Sequence, residues 1–304
     1  RQFPNIRSFT ANNASLETIR HFTECRNLTC LDLSDNLITE IQGSAFSNNQ
    51  ELEYLDLSKN AIIDSNDYSF YMLSNLKMLN LGQNPGIQLP GLVFSFLLNL
   101  EDLHLDHCDI STIQNEWFYN TTNLDKLYLN DNPLHNISDN VFRNLGSLRI
   151  LDLSSSQLSS LPSNIFFYNS LEDLNLESNL LTELDSDTFK NQSSLITLRL
   201  AGNNFGILTG DIFSTLDNLR NLYLNNCNLT VIKVNWFSAM SRLRVLHLQG
   251  NSIEVIPYGT LKFENLLEEL DFSYNKLEVL DATSFGSLAN LKSLRMNGNN
   301  ISAI

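Results

Sequence analysis

The sequence predicts an α/β-type repeat solenoid, in which short parallel strands line one side of a coil and irregular or short-helical segments form the other. Three observations predict it. A leucine pattern returns at a nearly constant interval, a phenylalanine returns once in each interval, and the 304 residues are 42% hydrophobic and only 17% charged, enough to bury a large core. The 34 acidic against 19 basic residues give a net charge of −15, which repels phosphate backbones and raises the cost of approaching anionic membranes. Nucleic acid is therefore not an expected partner. No run of about 18 apolar residues marks a membrane span. The opening Arg1-Gln2-Phe3-Pro4-Asn5 has no signal-peptide core.

The strand side comes first in each period. Clear copies read Leu28-x-x-Leu31-x-Leu33-x-x-Asn36-x-Ile38 and Leu124-x-x-Leu127-x-Leu129-x-x-Asn132-x-Leu134. First positions fall at Leu28, Leu52, Leu76, Leu100, Leu124, Leu148, Leu171, Leu195, Leu219, Leu243, Leu267 and Leu291, so every step is 24 residues except one of 23. A shorter copy opens at Ile6. Leucine in slots 1, 4 and 6, with polar residues between, turns the leucines of a short strand inward. One such strand cannot bury itself, so copies must stack into a parallel sheet. Slot 9 is Asn in most copies, a small polar group able to turn inward and hydrogen-bond the neighbouring backbone. Cys108, Ser156 and Cys227 replace it in three copies, whose turns should be held differently.

The outer side follows. Slot 19 is Phe from Phe46 to Phe285, broken only by Leu261. A phenylalanine spine thickens the outer layer, so the stack should curve with its sheet inside. Trp117 and Trp236 each precede a spine phenylalanine, and both lie in a copy whose slot 9 is Cys.

With these residues in view the chain resembles the leucine-rich repeat family, in its 24-residue typical class. The resemblance covers about residues 6–304. It implies a right-handed horseshoe with a concave parallel β-sheet, a single solenoid over 1–304 of about 13 repeats, with 1–27 an atypical edge repeat and the repeat from Leu291 incomplete. It further implies a non-enzymatic extracellular recognition module, as in Toll-like receptor ectodomains, small leucine-rich proteoglycans and jawless-vertebrate lymphocyte receptors. Such a module binds a protein or glycoconjugate as a receptor ectodomain or secreted factor. A self-associating matrix component and a cytosolic scaffold are the alternatives. The cysteine-rich caps usual in the family do not appear, and the last repeat stops at Ile304, so further chain or a partner is expected beyond it.

Other signals are weaker. Cys25 and Cys30 are close enough in sequence for a local disulfide if the chain bends between them; the alternatives are two free thiols, or Cys25 paired outside this sequence. Asn13, Asn27, Asn120, Asn136, Asn191, Asn228 and Asn300 begin Asn-x-Ser/Thr sequons that permit N-glycosylation, at the frequency chance gives in so Asn-rich a chain. Nucleophile-elbow, zincin, phosphate-loop and Cys-x-x-Cys motifs are absent, and neither catalysis, a cofactor nor a metal is expected.

Function is then read from the side chains that project from the sheet. Slot 5 runs from Asp32, Asp56 and Asn80 through His104 and Tyr128 to Arg199, Tyr223, His247, Asp271 and Arg295. Two partner-binding patches stand out. One is His104, Asp106, His107, Tyr128 and Asp131; the other is Arg199, Arg220, Tyr223, Arg244 and His247. Tyr and Arg supply contact area and directed hydrogen bonds at interfaces.

Overall fold

The computed structural model describes residues 5–19, 22, 25–208, 210–261, 266–280, 285 and 288–302. The chain divides into two compact units, Arg1–Asp152 and Leu153–Ile304. The first holds β1 (Ser8–Thr10), β2 (Cys30–Asp32), β3 (Tyr54–Asp56), β4 (Met78–Asn80), β5 (Asp102–His104), β6 (Lys126–Tyr128) and β7 (Ile150–Asp152). The second holds β8 (Asp173–Asn175), β9 (Thr197–Arg199), β10 (Asn221–Tyr223), β11 (Val245–His247), β12 (Glu269–Asp271) and β13 (Ser293–Arg295). Within each unit consecutive strands pair in parallel, offset by one repeat: Leu55 faces Leu79 in the first and Leu222 faces Leu246 in the second. The predicted parallel-sheet solenoid is thus present in both units. Among the described residues the one named helical element is a 3-10 turn at Asn115–Phe118, and turns make up the rest of the outer layer.

Each strand is slots 3 to 5 of a repeat, and from β2 to β12 its middle leucine is buried; at the ends, Phe9 of β1 is half-buried and Leu294 of β13 is exposed. Leu31, Leu55, Leu103, Leu174 and Leu222 are fully buried, as are the slot-1 and slot-6 leucines on either side of them. This core faces away from the side chains of slots 3 and 5.

The slot-9 asparagines close the coil. Asn60 Nδ2 donates to the carbonyls of Leu57, Ser58 and, one repeat back, Leu33; its Oδ1 accepts from Ile38 N–H of that earlier repeat. Asn84, Asn132, Asn179, Asn203, Asn251 and Asn275 repeat these contacts. The residue just before each ladder position has φ near +55° to +70°, from Asp35 to Gly298. That conformation costs a non-glycine residue about 1–2 kcal/mol. It is held by a backbone bond to the next repeat, such as Lys59 N–H to Gly82 O at 2.9 Å.

The three exceptions are held differently, as expected. The Cys108 thiol donates to Leu81 O at 3.2 Å and Cys227 to Leu200 O at 3.2 Å, but a thiol lacks the amide oxygen. The orphaned N–H groups of the preceding repeat, Gly86 and Phe205, turn to the backbone carbonyls of Cys108 and Cys227 instead. Positive φ then appears on both sides of the change. It occurs at Asp109, Gln157 and Asn228 directly after the altered residue, and at Gly86, His135 and Gly206 one repeat earlier.

The spine rings stack 6.4 Å apart at Phe46–Phe70 and Phe70–Phe94, and again at Phe189–Phe213. Paired strands lie about 4.8 Å apart, so each unit is wider on its phenylalanine side and its sheet is the concave face. The tryptophans have a packing role here. Trp117 sits edge-on to both Phe94 (5.9 Å) and Phe118 (6.3 Å), and Trp236 to Phe213 (5.9 Å) and Phe237 (6.4 Å). Beside Trp117 a shallow cleft is lined by Leu89 and Asp109 to Thr112, the backbone displaced where Cys108 replaces Asn.

The local Cys25–Cys30 bridge is not formed: both residues are half-buried free thiols. Cys30 lies in β2, beside Tyr54 on the neighbouring strand, while the Cys25 carbonyl is fixed by Asn49 Nδ2 at 2.9 Å and Leu28 N–H at 3.2 Å. Burial pushes the Cys108 and Cys227 thiols up to about 12. Thiol reagents on the native protein are accordingly expected to label Cys25 and Cys30 and to spare Cys108 and Cys227 until unfolding; mass spectrometry of the labelled peptides checks this.

Asn60→Ala is expected to lower stability by about 3 kcal/mol, because it strands several buried backbone groups at once. Cys108→Ala removes one weak donor and should cost about 1 kcal/mol. Urea unfolding of the two variants would overturn the ladder account if the losses were equal.

Candidate functional site

Slot 5 has a default structural use. Asp32 Oδ1 accepts from both Ser34 N–H (3.0 Å) and Ser34 Oγ (2.6 Å), and Asp56 does the same for Ser58. Asn80, Asn175 and Asp271 accept from the N–H of Gly82, Glu177 and Ser273. The acidic run at the start of the row is therefore largely a set of caps that turn the chain out of the strand. His104, Tyr128, Arg199, Tyr223, His247 and Arg295 stand in the same slot without a carboxylate or amide oxygen to offer. These six are side chains the turn does not require.

In the first unit the His104 ring stacks on Tyr128 at 4.3 Å and 15°, and His104 Nε2 lies 3.0 Å from Asp102 Oδ1. Lys126 Nζ reaches Asp102 Oδ2 at 3.3 Å. Burial pushes the Asp102 carboxyl up, but His104 and Lys126 together outweigh it and hold the group below its ordinary value. His107 is in the left-handed region at slot 8 and lies between Asp106 (3.3 Å) and Asp131 (3.5 Å). The five residues of this patch thus form two clusters, His104–Tyr128 and Asp106–His107–Asp131. The imidazoles turn to different carboxylates, and among the described residues no group of three is placed to hold a metal ion.

In the second unit Arg199 lies 5.9 Å from the centre of the Tyr223 ring, which is perpendicular to the His247 ring at 5.1 Å. Arg199 is ion-paired with Asp173, and Arg295 with Glu269, which also lies 3.4 Å from His247 Nε2. Hydrogen bonding to Arg295 holds Glu269 below its ordinary value against the opposing effect of burial. Arg220 and Arg244 stand apart from this row. They precede β10 and β11, on the flank of the sheet; Arg244 pairs with Glu268, which Lys292 also contacts at 2.6 Å.

Sequence reasoning on slot 5 alone missed Asp102, Lys126, Asp173 and Glu269. All are in slot 3, on the same outward face two residues earlier, and pair with slots 3 or 5 of an adjacent repeat. Reading both slots together, with adjacent strands about 4.8 Å apart, is the signal that finds them. The seven sequon asparagines are all exposed. Asn13, Asn191 and Asn228 have positive φ, and the Asn120 and Asn228 amides donate to Ser95 O and Asn204 Oδ1.

Stacked coils that display polar and aromatic side chains from a parallel sheet define a repeat-built binding scaffold. The model for Leucine rich repeat matches residues 26–85, 217–267 and 241–301, and that for the BspA type Leucine rich repeat region matches 88–209. The chain belongs to the leucine-rich repeat family. Comparison with curated protein sequences finds no significant match. Among solved structures, Toll in the Drosophila Toll–Spatzle complex is 26% identical with a TM-score of 0.88. TLR13 in a TLR13–ssRNA13 complex is 27% identical with a TM-score of 0.79. The chain is 98% covered in both cases and spans 42% and 47% of those chains. The Leptospira interrogans protein LIC12759 shares the fold at 24% identity and a TM-score of 0.72, with 97% of this chain and 85% of that one covered.

The lowered Asp102 value has a signed consequence. Its stabilising effect is present above the ordinary carboxylate range near pH 4 and is lost as pH falls through the lower folded value. Asp102→Asn should therefore cost stability at neutral pH and little once the parent carboxylate is protonated, which urea midpoints from pH 7 to pH 2.5 would show. A constant difference across that range would refute the pairing.

Proposed function

We propose that the protein is a non-enzymatic, extracellular recognition module that binds a protein partner through its concave sheet face, as a receptor ectodomain or secreted factor. One observation carries the reading. The cap at slot 5 is given up at His104 and Tyr128 and again at Arg199, Tyr223 and His247, where rings and a guanidinium stack into rigid displays instead. Aromatic and arginine side chains held in place by their neighbours lose little entropy on binding. The likeness to a Toll chain in complex with Spatzle supports a protein ligand. A likeness of comparable identity to a chain in complex with RNA sets the contrast, and the net charge of −15 speaks for protein over nucleic acid here. The likeness to receptor chains supports an extracellular location, and the seven sequons, all exposed, leave N-glycosylation open there.

The test is saturable binding of the natively sourced protein to candidate secreted proteins, followed by Arg199→Glu with Tyr223→Ala. A loss of about a hundredfold in affinity is expected, equal to roughly 2.7 kcal/mol. Unchanged binding, or concentration-dependent self-assembly indifferent to the double variant, would replace this reading with a structural role. Intact mass before and after enzymatic removal of N-glycans tests the location: a loss of glycan mass is expected, and none would favour a cytosolic scaffold.

A further inference from the structure

A second surface, on the flank, carries a control internal to the chain. Slot 13 of the repeat is polar in all seven earlier copies, from Glu40 and Asp64 to Ser160 and Glu183, so the coil does not need an apolar side chain there. In the next four copies it is Ile207, Val231, Val255 and Val279, which are 55%, 42%, 66% and 60% exposed. Val234 and Tyr258 in slot 16 widen the stripe and are also exposed. Backbone bonds beside it tie these repeats together, Thr230 N–H to Gly206 O, Ser252 N–H to Leu229 O and Lys276 N–H to Ile253 O, so the slot-13 side chains follow one another along the unit. Val255, Tyr258 and Val279 share one cleft, with Glu254 and Glu278 at its edge.

The geometry limits what can lie on it. Successive repeats are about 4.8 Å apart at the sheet, and the spine rings of Phe189 and Phe213 are 6.4 Å apart. Slot 13 lies along the coil between the strand and the spine, so its repeat spacing falls between these two values, a range that includes the 5.4 Å rise of one α-helical turn. Glu254 and Glu278 are exposed and have no ion-pair partner among the described residues. The net charge of −15 sets a second copy of this chain against the first. We propose that the stripe is a docking groove for a basic amphipathic α-helix of a partner protein. The helix would lay its i, i+3, i+4, i+7 aliphatic row along Ile207 to Val279 and its Lys or Arg side chains beside Glu254 and Glu278.

A synthetic amphipathic peptide of about 15–20 residues, leucine on one helical face and lysine elsewhere, tests this against a scrambled peptide of the same composition. Fluorescence anisotropy is expected to show the ordered peptide binding at least about tenfold tighter than the scrambled one, with a gain of helical circular dichroism in the complex. Val231→Ser with Val255→Thr should abolish that preference while leaving the unfolding midpoint near that of the parent, since Ser160 and Thr112 already occupy this slot. Glu254→Gln with Glu278→Gln removes no apolar contact and should weaken the ordered peptide severalfold. This keeps the proposal testable if the valine variants lose stability. Equal affinity for the two peptides would overturn it, as would a preference untouched by both double variants. So would a parent that sediments as a dimer and becomes monomeric when the valines are replaced.

Discussion

The buried slot-9 side chain is the constraint on which the rest of the structure depends. A coil that leaves a strand and turns outward carries backbone carbonyls into the interior, and each carbonyl or N–H left without a partner costs about 1–3 kcal/mol. One asparagine answers several at once. The Asn60 amide nitrogen serves its own repeat and the one before, and its oxygen serves the one before again. Because each asparagine completes its neighbour as well as itself, the repeats stabilise one another in sequence rather than singly. The departures show the same rule from the other side. Where a thiol replaces the amide, the N–H that lost its acceptor finds a backbone carbonyl, and left-handed residues appear at Gly86, Asp109, Gly206 and Asn228 to permit it.

A turn held from within frees the outward slots to vary, and the variation is informative because the chain supplies its own comparison. The same slot recurs about a dozen times in near-identical backbone surroundings. A residue type that recurs in half of the copies is then explained by the turn, as with Asp32, Asp56 and Asn80 capping the residues two positions on. Residues that abandon that use need another reason. His104, Tyr128, Arg199, Tyr223 and His247 on the concave face meet this criterion, as do Ile207, Val231, Val255 and Val279 on the flank.

Most of the fold was legible in the sequence because it is periodic. Inward leucines, the ladder and the spine each repeat often enough to give the strand positions, their parallel order and the inward curve of each unit. What the sequence hid is what arises between repeats. Arg199 reads as a free cation in slot 5 and is paired with Asp173 from slot 3 of the repeat before. Arg220 and Arg244 read as neighbours of Tyr223 and lie on the flank, because slot 2 precedes the strand. The packing of the tryptophans was hidden too, since each indole meets the spine phenylalanines of two adjacent repeats. Neither Cys25 nor Cys30 is brought to the other, because one is anchored in a turn and the other in a strand.

These cross-repeat ion pairs bear on what the concave face selects. Asp173 and Glu269 already occupy hydrogen-bonding positions of Arg199 and Arg295. A polyanion approaching the second unit would have to displace a carboxylate for each guanidinium it engaged, against a long-range field set by a net charge of −15. A protein ligand faces no such competition. It can leave each pair intact, accept from the remaining guanidinium N–H groups and cover Tyr223 and His247 with its own apolar surface. The slot-3 carboxylates therefore act twice. On the proposed reading they restrain the arginines, which would lower the entropy lost on binding, and they compete with any ligand whose only attraction is negative charge.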